Sequence, residues 1–216
     1  MDNAIENSRR EESSDINIRY IGYSLLKDVK FSGEQVVPHI LSEGQDELGK
    51  HFNVEKLVGL DLEDFLLLPE NEASLKDKFK VMLHITQQFQ AIDQAGFILF
   101  DRHAWNIRVI NWGNDKISTR QIDIDQYYDK VAEASYSLEG QERFESMNDS
   151  LKKIGTNLWA PTVNDLISQE LSVVDINKNN EIVNLLRANK WKPEAKKNGS
   201  NLEEHETLLK QIIEML

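Results

Sequence analysis

Asp101, Asn106 and Asp123 have the types and spacing to hold a divalent ion beside a reacting hydroxyl. The first two stand in Leu99-Phe100-Asp101-Arg102-His103-Ala104-Trp105-Asn106-Ile107-Arg108-Val109, the third in Gln121-Ile122-Asp123-Ile124-Asp125. Phosphoryl transfer from a nucleotide asks little covalent chemistry of a protein. It needs an acceptor hydroxyl held in line and cations that neutralise charge on the phosphate oxygens. Magnesium takes oxygen ligands, commonly one or two carboxylates with phosphates and water. A carboxylate five residues before an asparagine, on a loop leaving a long helix, can face the acceptor while the amide oxygen faces the ion. A second carboxylate at the end of a following hairpin strand completes the ion's ligands. Asp and Asn on a polar loop also serve simply as turn residues; the addition of Asp123 and its flanking elements favours the chemical reading. Asp125 reads equally as a helper at the metal or a solvated loop carboxylate. Trp105 reads as a core or loop-packing aromatic.

The elements that must position these groups follow from periodicity. The long helix is expected over Ser74 to Gln94, with Ser74 as its N-cap and Leu75, Phe79, Met82, Ile85, Phe89 and Ile92 as its buried stripe. Gly96 closes it. Two short β-rich pieces follow, Ile107 to Asn111 and Ile117 to Ile124, joined by the turn Trp112-Gly113-Asn114-Asp115. Upstream, a helix is expected over Ser13 to Lys30, then a strand over Gln35 to Leu41, a loop over Ser42 to Lys50, a strand over His51 to Val58 and a short helix over Asp61 to Leu68. After Asp125 the chain reads as mainly helical, with segments near 142–154, 163–172, 178–190 and 201–215. The last is expected to be a packing helix behind the polar connector 192–201.

D-x-x-x-x-N followed by a hydrophobic-Asp pair resembles the catalytic loop and metal motif of the protein-kinase-like superfamily. Asp101-Arg102-His103-x-x-Asn106 looks most like the D-R-H-x-x-N loop of phosphoinositide 3- and 4-kinases, and Asp101-x-His103-x-x-Asn106 resembles the D-x-H-x-x-N loop of aminoglycoside and choline phosphotransferases. Val54 to Gly59, followed by Leu62-Glu63-Asp64-Phe65-Leu66, resembles the hinge strand and following helix of the second group. The resemblance spans roughly residues 15 to 130. It implies Asp101 as catalytic base or acceptor-orienting residue and His103 as a stabiliser of the transferring phosphoryl. It further implies Asn106 and Asp123 as Mg2+ ligands and backbone near Glu55 to Leu57 as the ATP adenine contact. Two features depart from the pattern. Leu99 stands where most kinases carry His or Tyr, and no G-x-G-x-x-G or early strand lysine precedes the first helix.

The expected fold is therefore α+β and mainly helical: a kinase-like C-lobe with a truncated N-lobe sheet. Residues 1–14 read as a disordered N-terminus and 15–58 as an N-lobe remnant. Residues 59–191 read as the helical C-lobe with both loops, and 192–216 as connector and terminal helix. The expected function is transfer of a phosphoryl group from ATP-Mg to a hydroxyl of a small molecule or protein, with a partner chain as one way to complete the small lobe. The alternatives are a kinase-like binding module without catalysis, or a helical interaction protein in which the loop match is chance.

Composition bounds the rest. With 37 acidic against 25 basic residues in 216, the net charge is −12, so duplex nucleic acid is a poor partner. No Lys/Arg run suits an anionic membrane, and no apolar run is long enough to span one. The absence of cysteine excludes disulfides and thiolate chemistry and fits a cytoplasmic protein. Gly44 to Lys50 (GQDELGK) matches the letters of a phosphate-binding loop, but His51 stands where Ser or Thr is needed and opens a strand where that motif needs a helix. The five histidines have no metal-ligand spacing.

Overall fold

The computed structural model describes residues 25–45, 51–55, 59–99, 102, 104–113, 116–124, 127–129, 134–136, 180–182, 184–185 and 202–216. In chain order the named elements are β1 (Lys30–Phe31), β2 (Glu34–Gln35), β3 (Ile40–Gln45), β4 (His51–Glu55), β5 (Leu60–Asp61), α1 (Leu62–Leu66), α2 (Leu75–Gln94), β6 (Phe97–Leu99), β7 (Ile107–Asn111), β8 (Ser118–Gln121), β9 (Tyr127–Asp129), β10 (Ala134–Tyr136) and α3 (Leu202–Met215). A 3₁₀ turn, Ala104–Asn106, precedes β7. The chain thus mixes helices with small antiparallel sheets: β1-β2, β3-β4, β5-β7-β8 and β6-β9-β10.

The long helix forms where its stripe and cap require. Ser74 accepts the amide of Asp77 at 3.1 Å, and the Asp77 carboxylate takes the Ser74 amide at 3.3 Å, so two otherwise orphaned donors are satisfied reciprocally. Leu75, Phe79, Met82, Ile85, Phe89 and Ile92 are all buried. Gly96, at φ 99°, reverses the chain into β6. Against α2 packs α3, with Leu209 and Ile212 in the core, while α1 lies against β5, β7 and the 3₁₀ turn and adds Leu62 and Phe65 to the same core. Glu206 of α3 accepts from both Gln87 (2.8 Å) and Gln90 (3.0 Å) of α2, fixing the terminal helix lengthwise. Its expected role as a packing helix holds.

Several expected boundaries move, each for a local reason. Of the helix expected to Lys30, residues 25–26 are helical, 27–28 turn, and Lys30 is already strand. Ser32 (φ 52°) and Gly33 (φ 79°) then form the two-residue turn between β1 and β2, since positive φ at both central positions matches the strand twist. The strand expected over 35–41 is split around Pro38, which has no amide hydrogen for a ladder, and β3 begins only at Ile40. His51 opens β4, antiparallel to β3, so no helix follows GQDELGK and the phosphate-loop rejection stands. The largest correction lies beyond residue 125. The chain is not simply helical there: β9 and β10 add two strands to β6. Three-residue strands carry no readable period, and the open edge of β6 supplies the pairing. The segments near 142–154 and 163–172 lie outside the described residues. Among the described residues no helix is long and apolar enough to cross a membrane.

Candidate functional site

Two stretches of chain run between the β6-β9-β10 sheet and the β5-β7-β8 sheet. The first leaves β6 at Leu99 and enters β7 at Ile107; the second leaves β8 at Gln121 and enters β9 at Tyr127. Leu99 pairs with Tyr127 at one end, and Ile107 with Gln121 at the other. These pairings bring the ends of the two stretches together. Within this frame the Ile122 amide donates to the Asn106 carbonyl at 2.8 Å, bringing the residue before Asp123 against Asn106.

Asn106 closes the 3₁₀ turn and is buried at 7% exposure. Asp123 is half-buried and has φ 54°. Ser32 and Asp123 are the two non-glycine residues with positive φ among the described residues, and Ser32 has a turn to explain it. A non-glycine residue in the left-handed region costs about 1–2 kcal/mol and persists only where its surroundings over-determine it. Here the β7-β8 ladder, the Ile122 to Asn106 bond and the β6-β9 ladder do so.

Arg102 anchors the start of the first stretch to α2. Its guanidinium lies 4.6 Å above the Phe89 ring; Nε donates to the Leu99 carbonyl at 2.7 Å and Nη2 to Asp93 at 2.9 Å. The side chain is wholly buried. Burial lowers its pKa, and Asp93 opposes that loss. Arg102 is thus a buried support of the chain between β6 and the 3₁₀ turn. No spacing rule links Asp93 to Arg102, so the amino-acid sequence alone assigns Asp93 no role. Leu99 packs as expected, at 6% exposure.

The β5 edge approaches β7 through Gly59 (φ 70°), where an added Cβ would lie 2.0 Å from the Val109 carbonyl oxygen. Arg108 donates to the Gly59 carbonyl and pairs with Asp61 at 3.9 Å. On the far side, Glu34 of β2 holds β8: it accepts from the Ser118 hydroxyl and from Arg120 Nη2 at 2.8 Å, with Lys116 Nζ at 3.3 Å. Hydrogen bonds from Ser118, then Arg120, pull the Glu34 carboxyl down to about 2. No sequence motif marks this cluster either, since Glu34 stands more than eighty residues from its partners.

Of the expected site, the structure describes Asn106 and Asp123, and a backbone hydrogen bond sets the residue before Asp123 against Asn106. Asp101, His103, Asp125 and Leu57 lie outside the described residues, and Glu55 ends β4 opposite Ile40. Asn106 and Asp123 offer an amide and a carboxylate oxygen, a donor set suited to a hard divalent cation. Among the described residues no group of three or more His, Asp or Glu is arranged as a metal cage, so a cation here would depend on ligands beyond the described side chains. Trp105 corrects an expectation: it is 65% exposed rather than packed, and its indole N–H donates to Glu63 of α1. A neighbouring carboxylate satisfies the indole at the surface, so burial is not required of it.

No family model matches this chain, and no curated protein sequence matches it.

Proposed function

We infer that the chain is a kinase-like phosphotransferase, acting from ATP-Mg on a hydroxyl of a small molecule or protein. The observation that supports this most is the bond from the Ile122 amide to the Asn106 carbonyl, set between two strand ladders. It puts the asparagine of D-x-x-x-x-N beside the residue preceding the second aspartate, as a shared ion would require. In this reading the side-chain oxygens of Asn106 and Asp123 hold magnesium. The ion, when bound, neutralises charge on the phosphate oxygens. Asp101 accepts or orients the proton of the acceptor hydroxyl, and His103 faces the transferring group. Backbone near Glu55 to Leu57 meets the adenine. The left-handed backbone of Asp123 supports the same assignment, because strained conformations collect where a side chain must be aimed.

Thermal denaturation with ATP and Mg2+ tests the assignment. Stabilisation of about 2.7 kcal/mol is expected at a hundredfold excess over Kd, and Asp123→Ala should abolish it. Absence of any shift would sink the reading. A shift without phosphoryl transfer to water or to any offered alcohol would leave a kinase-like binding module.

A further inference from the structure

The end of β8 is tied to the centre of α2 by an amide network with no counterpart in the ion-pair clusters nearer the surface. Gln88, Thr119 and Gln121 have exposures of 2%, 0% and 2%. Gln88 Nε2 donates to the Thr119 carbonyl at 3.2 Å. Its Oε1 accepts from Thr119 Oγ1 at 3.1 Å and from Gln121 Nε2 at 2.7 Å. Three polar side chains in a core cost more than apolar residues of the same shape unless every bond is made. Apolar side chains would hold α2 against β8 as tightly, but they slide; directional bonds fix register.

Register matters at this place. Gln121 is the last residue of β8, and its own amide donates to the Val36 carbonyl at 2.8 Å. Ile122 is then held by Asn106, and Asp123 follows in the left-handed region. Gln88 therefore acts two residues upstream of a backbone that would relax if the strand end shifted.

We propose that Gln88, through Gln121 and Thr119, is a positioning residue that sets the strand end and hence the aim of the Asp123 carboxylate. The inference rests on Asp123 being a metal ligand, as proposed above. Groups that orient a ligand from behind typically change metal affinity ten- to a hundredfold when removed.

The test uses the full chain in three forms: wild type, Asp123→Asn, and Gln88→Met with Thr119→Val and Gln121→Met. The triple variant removes all three polar partners together, so no buried donor is orphaned and the urea midpoint should stay near wild type. Mn2+ affinity in the presence of ATP, by calorimetry, should fall at least about tenfold in the triple variant. Exchange of the Ile122 amide without metal should become faster. Unchanged affinity in the triple variant, with affinity lost in Asp123→Asn, overturns the role of Gln88 alone. Absence of Mn2+ binding by wild type removes the metal-site reading and this inference with it. Wild type also provides a check that needs no substitution: an Ile122 amide exchanging as fast as open loop amides would overturn the inference.

Discussion

Arg102 Nη2 lies 2.9 Å from Oδ1 of Asp93, joining the loop that leads to Asn106 to the last turn of the helix before it. The arginine side chain is fully buried and the aspartate 22% exposed. Such a pair adds little over an apolar substitute of equal volume, but removing one partner leaves a charge without its counter-ion. Asp93→Ala should therefore cost about 3 kcal/mol, read as a lower urea midpoint. Arg102→Met should cost clearly less, because it removes the buried charge itself. Equal losses in the two variants would show that packing on Phe89, not the ion pair, holds the loop.

One buried histidine and one half-buried histidine set the response to mild acid. Burial lowers His205 of α3 to about 4, and burial likewise lowers His84 of α2 to about 4, with Glu34 opposing and Arg120 adding to the shift. The folded state then favours neutral imidazole, while the unfolded chain takes up protons near pH 6.5. Between those values the unfolded state binds more protons, so stability is full above pH 6.5 and falls as the pH drops toward 4. For His205, at 3% exposure, the loss is on the order of 3 kcal/mol. The carboxylates act in a lower window. Hydrogen bonding from Lys210, then Gln87, lowers Glu206 to about 2, and Glu34 is lowered similarly; their contribution is present above pH 4.5 and lost toward pH 2. Urea midpoints across pH 3 to 8 should show both falls, and His205→Leu should flatten the upper one. A profile that His205→Leu leaves unchanged would remove this account.

Gly59 is expected to tolerate no side chain. Its φ of 70° is already unfavourable for other residues, and a Cβ would meet the Val109 carbonyl oxygen at 2.0 Å, so backbone must move. Gly59→Ala should destabilise by at least about 2 kcal/mol. Because β5 pairs with β7 through Leu60 and Val109, amide exchange along β5 should rise more than along β8. A loss below about 0.5 kcal/mol would mean that β5 does not approach β7 this closely.

What could be read in advance follows the length and period of each element. The α2 helix was legible to within a residue because its stripe repeats five times and Ser74 and Asp77 form its cap. The β7-β8 hairpin was legible from its turn residues. Strand β9 was not, since three residues carry no period and its buried Tyr127 pairs with a distant strand, β6. The support of the site was hidden for a related reason. Glu34 with Arg120, and Gln88 with Gln121, are made by topology across dozens of residues, and each looks like an ordinary surface polar residue in the sequence. Trp105 misled in the other direction: an aromatic in an apolar stretch reads as core, but Glu63 meets its N–H at the surface.

The backbone at Asp123 allows a test independent of any ligand. At φ 54° the residue sits where a Cβ crowds the following carbonyl, a cost of about 1–2 kcal/mol that glycine does not carry. Glycine loses more chain entropy on folding, by roughly 0.5–1 kcal/mol, which offsets part of that relief. Asp123→Ala removes the carboxylate and keeps the strain; Asp123→Gly removes both. Glycine should thus be the more stable variant by about 0.5–1 kcal/mol, in chemical denaturation without nucleotide. Both variants should lose the stabilisation by ATP and Mg2+ expected of wild type. If alanine proved the more stable, Asp123 would not be left-handed in solution. The tethers from Gln121 and Ile122 would then be holding a conformation other than the left-handed one.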